Sequence, residues 1–268
     1  MSVLLQISDT HFGTEQPPVV DALLHLVEAT HPQVIVWSGD ITQRARRGQF
    51  QAAQRFRQRL GTRPVITIPG NHDIPLFNLL ARVLFPYANY IRAFGPALET
   101  NYDDDAFNVT AINTTRRHRH IDGEISAAQI DAVTQRLAAA PHDRIRIVVT
   151  HQPVHVIRAE DETNLVHGHA AAVRAWTAAG ADVVMGGHIH LPYVRPLSQK
   201  FSGLRRRAWA VQAGTALSHR VRHGSPNSVN IVRRLSQQPL TYAVERWDYS
   251  AGQKAFAAVD TQQLLLDR

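Results

Sequence analysis

The chain has 268 residues, 44% of them hydrophobic and 19% charged, the balance of an ordinary globular protein with enough apolar material for a core. It contains no cysteine, which excludes disulfides and thiolate metal sites, so any bound metal must be held by nitrogen and oxygen. The net charge of +7 attracts anions, but the densest basic groups (Arg46-Arg47, Arg116-Arg117 with Arg119, and Arg205-Arg206-Arg207) lack interleaved aromatics, which favours a solvated basic surface over a nucleic-acid groove.

In chain order, Val3 to Ile7 is an apolar run of strand length, and from Pro17 onward Val19, Val20, Leu23, Leu24, Leu26 and Val27 recur at helical spacing. Gln33 to Trp37 reads as a second strand. Phe50, Ala53, Phe56 and Leu60 then mark one face of a Gln- and Arg-rich helix, and Pro64 to Ile68 makes a third strand. The segment from Leu76 to Phe94 has a helical pattern that Pro86 should break, leaving two helices. Ala106 to Ile112 is strand-like, and Ser126-Ala-Ala-Gln129 matches a capping box that opens a helix running towards Ala140. Strands follow at Arg144 to Val149 and Asp182 to Met185, with a helix between about Gly168 and Ala179. After Gly187 the pattern turns to β, with runs at Ala208 to Gln212, Ser228 to Arg234 and Leu240 to Trp247.

No internal repeat or low-complexity linker divides the chain, so residues 1–268 are expected to form one domain. No apolar run approaches the roughly 18 to 20 residues of a membrane span, and the start has no basic region ahead of a long hydrophobic stretch; a soluble, cytoplasmic chain is the expectation. Alternating strands and helices followed by a β-rich end predict two packed sheets with helices outside.

Five polar clusters follow the strand-like runs: Asp9-Thr10-His11, Gly39-Asp40, Gly70-Asn71-His72-Asp73, Thr150-His151 and Gly187-His188-Ile189-His190. Taken singly, an Asp at a strand end reads as a helix cap or turn residue, and a lone His as a satisfied buried side chain. As an ordered set, Asp9, Asp40, Asn71, His151 and His188 all fall just beyond the C-terminal end of a strand, the edge where open α/β sheets bind ligands. Their oxygen and imidazole donors suit divalent metals.

From Asp9 to His190 these clusters resemble those of the calcineurin-like metallophosphoesterases, and look closest to the class III cyclic-nucleotide phosphodiesterase and glycerophosphodiesterase branch. The resemblance implies an α/β fold built as a four-layer αββα sandwich, two mixed β-sheets flanked by helices. It implies two divalent metal ions, with manganese or iron the first expectation and zinc or cobalt also compatible. Asp9, His11 and His190 would hold one ion, Asn71, His151 and His188 the other, and Asp40 would bridge them. His72 would serve the leaving group, oriented by Asp73. The implied reaction is hydrolysis of a cyclic nucleotide or other small phosphodiester by a metal-bound hydroxide. Similar blocks occur in nucleases and in nucleotide-lipid pyrophosphatases, and a catalytically silent metal-binding interaction module is the alternative of a different class. Substrate contacts are expected from the intervening loops, at Arg44, Asn113, His118 and His120. His155, His167 and His169 belong to a long segment, 152–169, that reads as surface loop. The β-rich C-terminal part offers a strand edge for a homodimer.

Overall fold

The computed structural model describes residues 2–222 and 224–267. The first strand, β1 (Val3–Ile7), shows how the layers arise. Val3, Leu5 and Ile7 project into a core shared with helices, while Leu4 joins the apolar layer between two sheets and Gln6 reaches across that layer to the Gly186 carbonyl at 3.1 Å. Side-chain alternation along one five-residue strand thus places it between a helix layer and a second sheet.

Helix α1 (Pro17–Thr30) starts on prolines that lack amide donors the first turn does not need, and ends where His31 turns left-handed at φ 45°. It leads to β2 (Val34–Trp37). Helix α2 (Arg47–Arg59) buries Phe50, Ala53 and Phe56 and leads to β3 (Val65–Thr67). The segment around Pro86 divides as its sequence predicts, into α3 (Leu79–Leu84) and α4 (Ala88–Phe94), with the Asn78 side chain capping α3 by accepting from Ala81 N at 3.0 Å.

The chain then forms β4 (Thr100–Asp103), β5 (Phe107–Ala111), α5 (Ala127–Ala139), β6 (Ile145–Val149), α6 (His169–Ala179) and β7 (Val183–Gly186). At the start of α5, Gln129 N donates to Ser126 Oγ and Ser126 N donates to Gln129 Oε1, the reciprocal pair expected of that sequence. The remainder is strand: β8 (Tyr193–Pro196), β9 (Trp209–Gln212), β10 (Ser228–Gln237), β11 (Leu240–Ser250) and β12 (Ala255–Leu265).

Two mixed six-stranded sheets result, ordered β12-β11-β10-β1-β2-β3 and β4-β5-β6-β7-β9-β8. In the first, β1, β2 and β3 are parallel and β10 pairs antiparallel to β1; in the second, β5, β6, β7 and β9 are parallel. Helices α1 and α2 cover one outer face, through Leu23, Val27 and Phe50, and α5 and α6 cover the other, through Val133, Leu137, Val173 and Trp176. This is the four-layer αββα arrangement. Three strands escape the sequence pattern for physical reasons: β4 is a short polar edge, β8 ends in Pro196, and β12 is an edge of Ala, Gln and Thr whose side chains are mostly exposed.

The layer between the sheets is apolar over most of its area and polar at one end. There Gln6 Nε2 donates to Ser38 Oγ and to the Gly186 carbonyl, Asn230 Nδ2 donates to Gln6 Oε1 and to the Gln212 carbonyl, and Gln212 Nε2 donates to the Gly187 carbonyl. Gln6, Gln212 and Asn230 are almost wholly buried. This network joins the C-terminal ends of strands from both sheets. Gln6→Leu keeps the volume but removes one hydrogen-bond partner each from Asn230 Nδ2, the Gly186 carbonyl and Ser38 Oγ, leaving Asn230 on the Gln212 carbonyl and Gly186 on Ala213 N, so we expect a loss of about 1 to 3 kcal/mol in unfolding free energy by urea denaturation.

Candidate metal centre

The loops that leave β1, β2, β3, β6 and β7 converge at that polar end, and each carries one of the polar clusters. Five of the candidate ligands have left-handed backbones: Asp9 (φ 50°), His11 (43°), Asp40 (47°), His188 (74°) and His190 (55°). For residues with a Cβ such conformations cost on the order of 1 kcal/mol each and concentrate at functional sites. Bonds between loops hold them: Asp9 N donates to the Gly39 carbonyl (3.1 Å), His11 N to the Asp40 carbonyl (3.0 Å), His188 N to Asp9 Oδ2 (2.9 Å) and His72 N to Asp40 Oδ1 (2.8 Å). Two glycines allow this approach, since a Cβ at Gly70 would collide with the backbone and carboxylate of Asp40, and one at Gly187 with Ser8 and the Asp9 carboxylate.

The side chains fall into two groups. Asp9, His11, Asp40 and His190 each offer one donor atom within 4.8 Å of the others, and Asp40, His151 and His188 do the same. Asn71 joins the second group, its Oδ1 lying 3.1 Å from His151 Nε2 and 3.0 Å from His188 Nδ1. Asp40 alone belongs to both. One of its oxygens, Oδ1, is 3.3 Å from His151 Nε2, and the other, Oδ2, is 3.8 Å from His11 Nε2. In the first group His190 Nε2 lies 3.2 Å from Asp9 Oδ1 and 3.0 Å from His11 Nε2.

Outer hydrogen bonds fix which imidazole nitrogen faces the centre. His151 Nδ1 donates to the Ser38 carbonyl at 2.9 Å and His190 Nδ1 to the Arg220 carbonyl at 2.6 Å, which leaves both Nε2 lone pairs pointing inward. His188 is reversed: Nε2 donates to Asn164 Oδ1 at 3.2 Å, and Nδ1 faces Asn71. Burial pushes His11 and His188 down to about 3, so both are neutral and able to donate a lone pair. Burial raises the Asp9 carboxyl, but His190 and His151 outweigh it and hold Asp9 at about 2. Asp40 is likewise held well below the usual range, with His151 and His72 opposing burial. For His151 burial lowers the pKa, yet Asp40 and Asp9 raise it to about 9. A divalent ion would take the place of that proton, the expected coupling of metal binding to proton release. Two buried carboxylates, one amide oxygen and four imidazoles, three of them oriented by outer hydrogen bonds, with no sulfur, fit borderline or hard divalent cations.

The other expected residues fare unevenly. His72 borders the centre with its Nδ1 donating to the Gln43 carbonyl (2.9 Å) and its Nε2 4.0 Å from Asp40 Oδ2. Asp73 does not orient it, which corrects the sequence reading. The Asp73 carboxylate instead accepts from the amides of Gly70, Ile41 and Thr42 and from Thr42 Oγ1, clamping the Asp40 loop onto the Asn71 turn. Burial and Asp40 raise Asp73 to about 6 despite those donors. His120 lines a cavity of about 500 Å³ over the centre, and Arg44 lines a small adjoining cleft while stacking on Phe77 at 5.0 Å. Asn113 and His118 are not at the cavity: Asn113 is buried, bonded to Tyr87 and Thr115, and His118 points to solvent beside Glu124. His155, His167 and His169 line no part of it either.

Three residues of the site carried no sequence signal. Asn164, from the 3₁₀ turn Ala159–Asn164, orients His188. Gln43 holds His72 by its carbonyl. Arg220, on the loop between β9 and β10, has its Nη1 3.0 Å from Gln43 Oε1, 3.3 Å from His72 Nε2 and 3.4 Å from His11 Nδ1.

Residues 2–192 match the family model of the calcineurin-like phosphoesterases. The chain belongs to that family. Its members' enzyme class is metal-dependent phosphoester hydrolysis, and this phosphoesterase carries the corresponding candidate site for divalent metals. A search of curated proteins returns no match. Among solved structures the fold is similar to a purple acid phosphatase from yellow lupin seeds (Lupinus luteus), at TM-score 0.70 and 12% identity over 98% of this chain and 53% of that one. It is similar also to a dimetal phosphatase from Danio rerio (TM-score 0.66, 13% identity, 99% of each chain) and to an anchor of the inner membrane complex of Plasmodium (0.63, 14%, 100% of this chain and 89% of that one). This phosphoesterase therefore spans about half the length of the lupin protein, and at such identities the likeness is one of fold.

The sharing of Asp40 distinguishes it from the other donors. We expect Asp40→Asn, which keeps the shape and removes the charge, to lower metal content at both positions by elemental analysis, whereas His188→Gln lowers it by about one equivalent. Full two-metal occupancy in Asp40→Asn contradicts the shared position.

Proposed function

We propose that this phosphoesterase hydrolyses small phosphodiesters at a two-metal centre, with Asp9, His11 and His190 on one ion, Asn71, His151 and His188 on the other and Asp40 between them. The carrying observation is the pair of donor groups that share a single buried carboxylate. Divalent ions held there would acidify a water and neutralise charge on the phosphoryl oxygens.

The remaining steps belong to the chain. With Nδ1–H tied to the Gln43 carbonyl, His72 keeps its Nε2 on the cavity side, where in its protonated form it delivers a proton to the departing oxygen. Arg220 supplies a guanidinium between His72 and His11, where it meets a non-bridging phosphoryl oxygen. Asp73 fixes the loop carrying Asp40 against the turn carrying Asn71 and His72 and takes no part in proton transfer.

Support for a diester over a monoester comes from the cavity wall. Beyond the metal-facing residues and His72 it is formed by Ile121, Ile189, Val221, His120, Asn164 and Arg220. Arg222, also on the wall, is bound by Asp161 at 2.9 Å and by Glu160, so its charge is already met. Among the described residues of the wall one guanidinium, Arg220, has no carboxylate partner, which suits the single charge of a diester better than a monoester dianion, and Ile121, Ile189 and Val221 can seat the second ester group. A cyclic nucleotide is one molecule of this class; the donor set accepts manganese, iron, zinc or cobalt, and the resemblance puts manganese or iron first.

Comparing bis(p-nitrophenyl) phosphate with p-nitrophenyl phosphate tests the substrate class: we expect kcat/KM to favour the diester by at least about tenfold. A monoester turned over as well or better sinks the assignment. His72→Ala should keep both metals and lose about 10²- to 10⁴-fold in kcat, with a larger loss for alkyl than for nitrophenyl leaving groups. Loss that is equal for both would remove His72 from the leaving-group side. Arg220→Gln should raise KM about tenfold with a smaller effect on kcat and no change in metal content; an unchanged KM removes the proposed phosphoryl contact.

A further inference from the structure

Directly after the His72 turn the chain runs out of the site into α3 and presents an apolar surface that none of the described residues covers. Phe77, Leu79, Leu80, Val83, Leu84 and Phe85 keep between 52% and 78% of their surface exposed, although the same chain buries residues of these types throughout its three cores. A contiguous set of this kind marks a contact surface. Only Arg82 of α3 faces inward, its guanidinium donating to the carbonyls of Pro75, Arg117 and Arg119, so α3 is fastened from below and its apolar residues stand outward.

The charge around this face has one sign. Residues 74–98 contain no Asp or Glu. Arg44 stacks on Phe77 at the edge of the patch, and Arg117 Nη1 donates to the Val83 carbonyl at 2.7 Å. Asn89 Nδ2 donates to the Ala45 carbonyl at 3.0 Å, bringing Arg92 on α4 and Arg46 before α2 to the same side. Among the described residues none of these four arginines has a carboxylate partner. The nearby acids Asp122 and Glu124 are already bound to Arg119.

We propose that this face docks the protein on an anionic lipid bilayer, the apolar side chains of residues 77–85 entering the interface and the arginines meeting lipid phosphates. Side chains that stand out from a short helix fit the shallow apolar layer beneath headgroups, and the surrounding arginines fit its negative surface potential. A second copy of the chain fits less well. A two-fold contact sets this patch against its own copy, so it would bring one arginine rim towards the other with no acid in residues 74–98 to receive it. The docked orientation leaves the metal-site cavity at the edge of the membrane, because Arg44 lies both against Phe77 and in the cleft lined by His72 and His120. Docking is independent of which ester the site cleaves.

Co-sedimentation with phosphatidylcholine vesicles containing about a quarter phosphatidylglycerol tests this. We expect the metal-loaded protein to sediment with them, to release at high salt, and to bind pure phosphatidylcholine vesicles at least about tenfold more weakly. Leu80→Gln combined with Leu84→Gln should reduce binding about tenfold while Tm and metal content stay as in the parent, and Arg117→Glu should weaken binding to the anionic vesicles alone. The proposal is overturned if the parent stays in the supernatant with anionic vesicles, or if the leucine variant binds as well as the parent. It is also overturned if light scattering shows a parent dimer that the leucine variant splits into monomers, since a second copy would then cover this face.

Discussion

The demand set by the buried Asp40 carboxylate organises the centre. A carboxylate shut away from water is costly unless hydrogen bonds and opposite charge compensate it, and Asp40 is 1% exposed. The structure answers from every side: the His72 amide donates to it, His151 stands 3.3 Å away, and His11 and the His72 ring lie near 4 Å. These groups come from three loops on two sheets, so satisfying one carboxylate draws much of the site together. The left-handed backbones at Asp9, His11, Asp40, His188 and His190 follow from the same demand, because several loops must turn their side chains into one small volume. The two donor groups that meet at Asp40 are placed so that bound divalent cations would complete the compensation that the histidines begin.

A site made by two sheets needs a fixed spacing between them, and apolar packing alone sets that spacing only loosely. The Gln6, Asn230 and Gln212 network lies directly beneath the centre and ties β1 and β10 of one sheet to β7 and β9 of the other, using backbone carbonyls as fixed partners. Its position explains why polar side chains interrupt an otherwise apolar layer. Gly186 and Gly187, whose carbonyls receive Gln6 and Gln212, immediately precede His188. The same contacts that join the sheets therefore set the start of the His188-to-His190 segment.

How much of this could be read from the sequence follows from where each residue gets its constraint. The strand-and-helix alternation and the ligand clusters were legible because both are local: periodicity marks the elements, and each candidate ligand stands at the end of its own strand. Strands β4, β8 and β12 were not, since edges carry little burial and so little pattern. Asp73 was misread for a related reason. It adjoins His72 in sequence, but in a 3₁₀ turn neighbouring side chains diverge, and the Asp73 carboxylate turns to amides 31 and 32 residues earlier in the chain. Asn113 also lay beyond local reading, because whether a polar residue after a strand faces the cavity or the scaffold depends on partners such as Tyr87, 26 residues away.

Arg220 and Arg222 show where sequence reasoning stops. They are the same residue type two positions apart on one loop, and nothing local separates them. Arg222 is met by Asp161 and Glu160 from the turn before α6, and its charge is spent on holding that turn near the cavity. Among the described residues Arg220 Nη1 meets Gln43, His72 and His11 and no carboxylate, while its own carbonyl accepts from His190. One arginine thereby fixes the outer nitrogen of His190 through its backbone and places a guanidinium opposite His72 through its side chain. A change in this loop would alter the orientation of His190 and the position of the guanidinium beside His72 together, because both rest on this one residue.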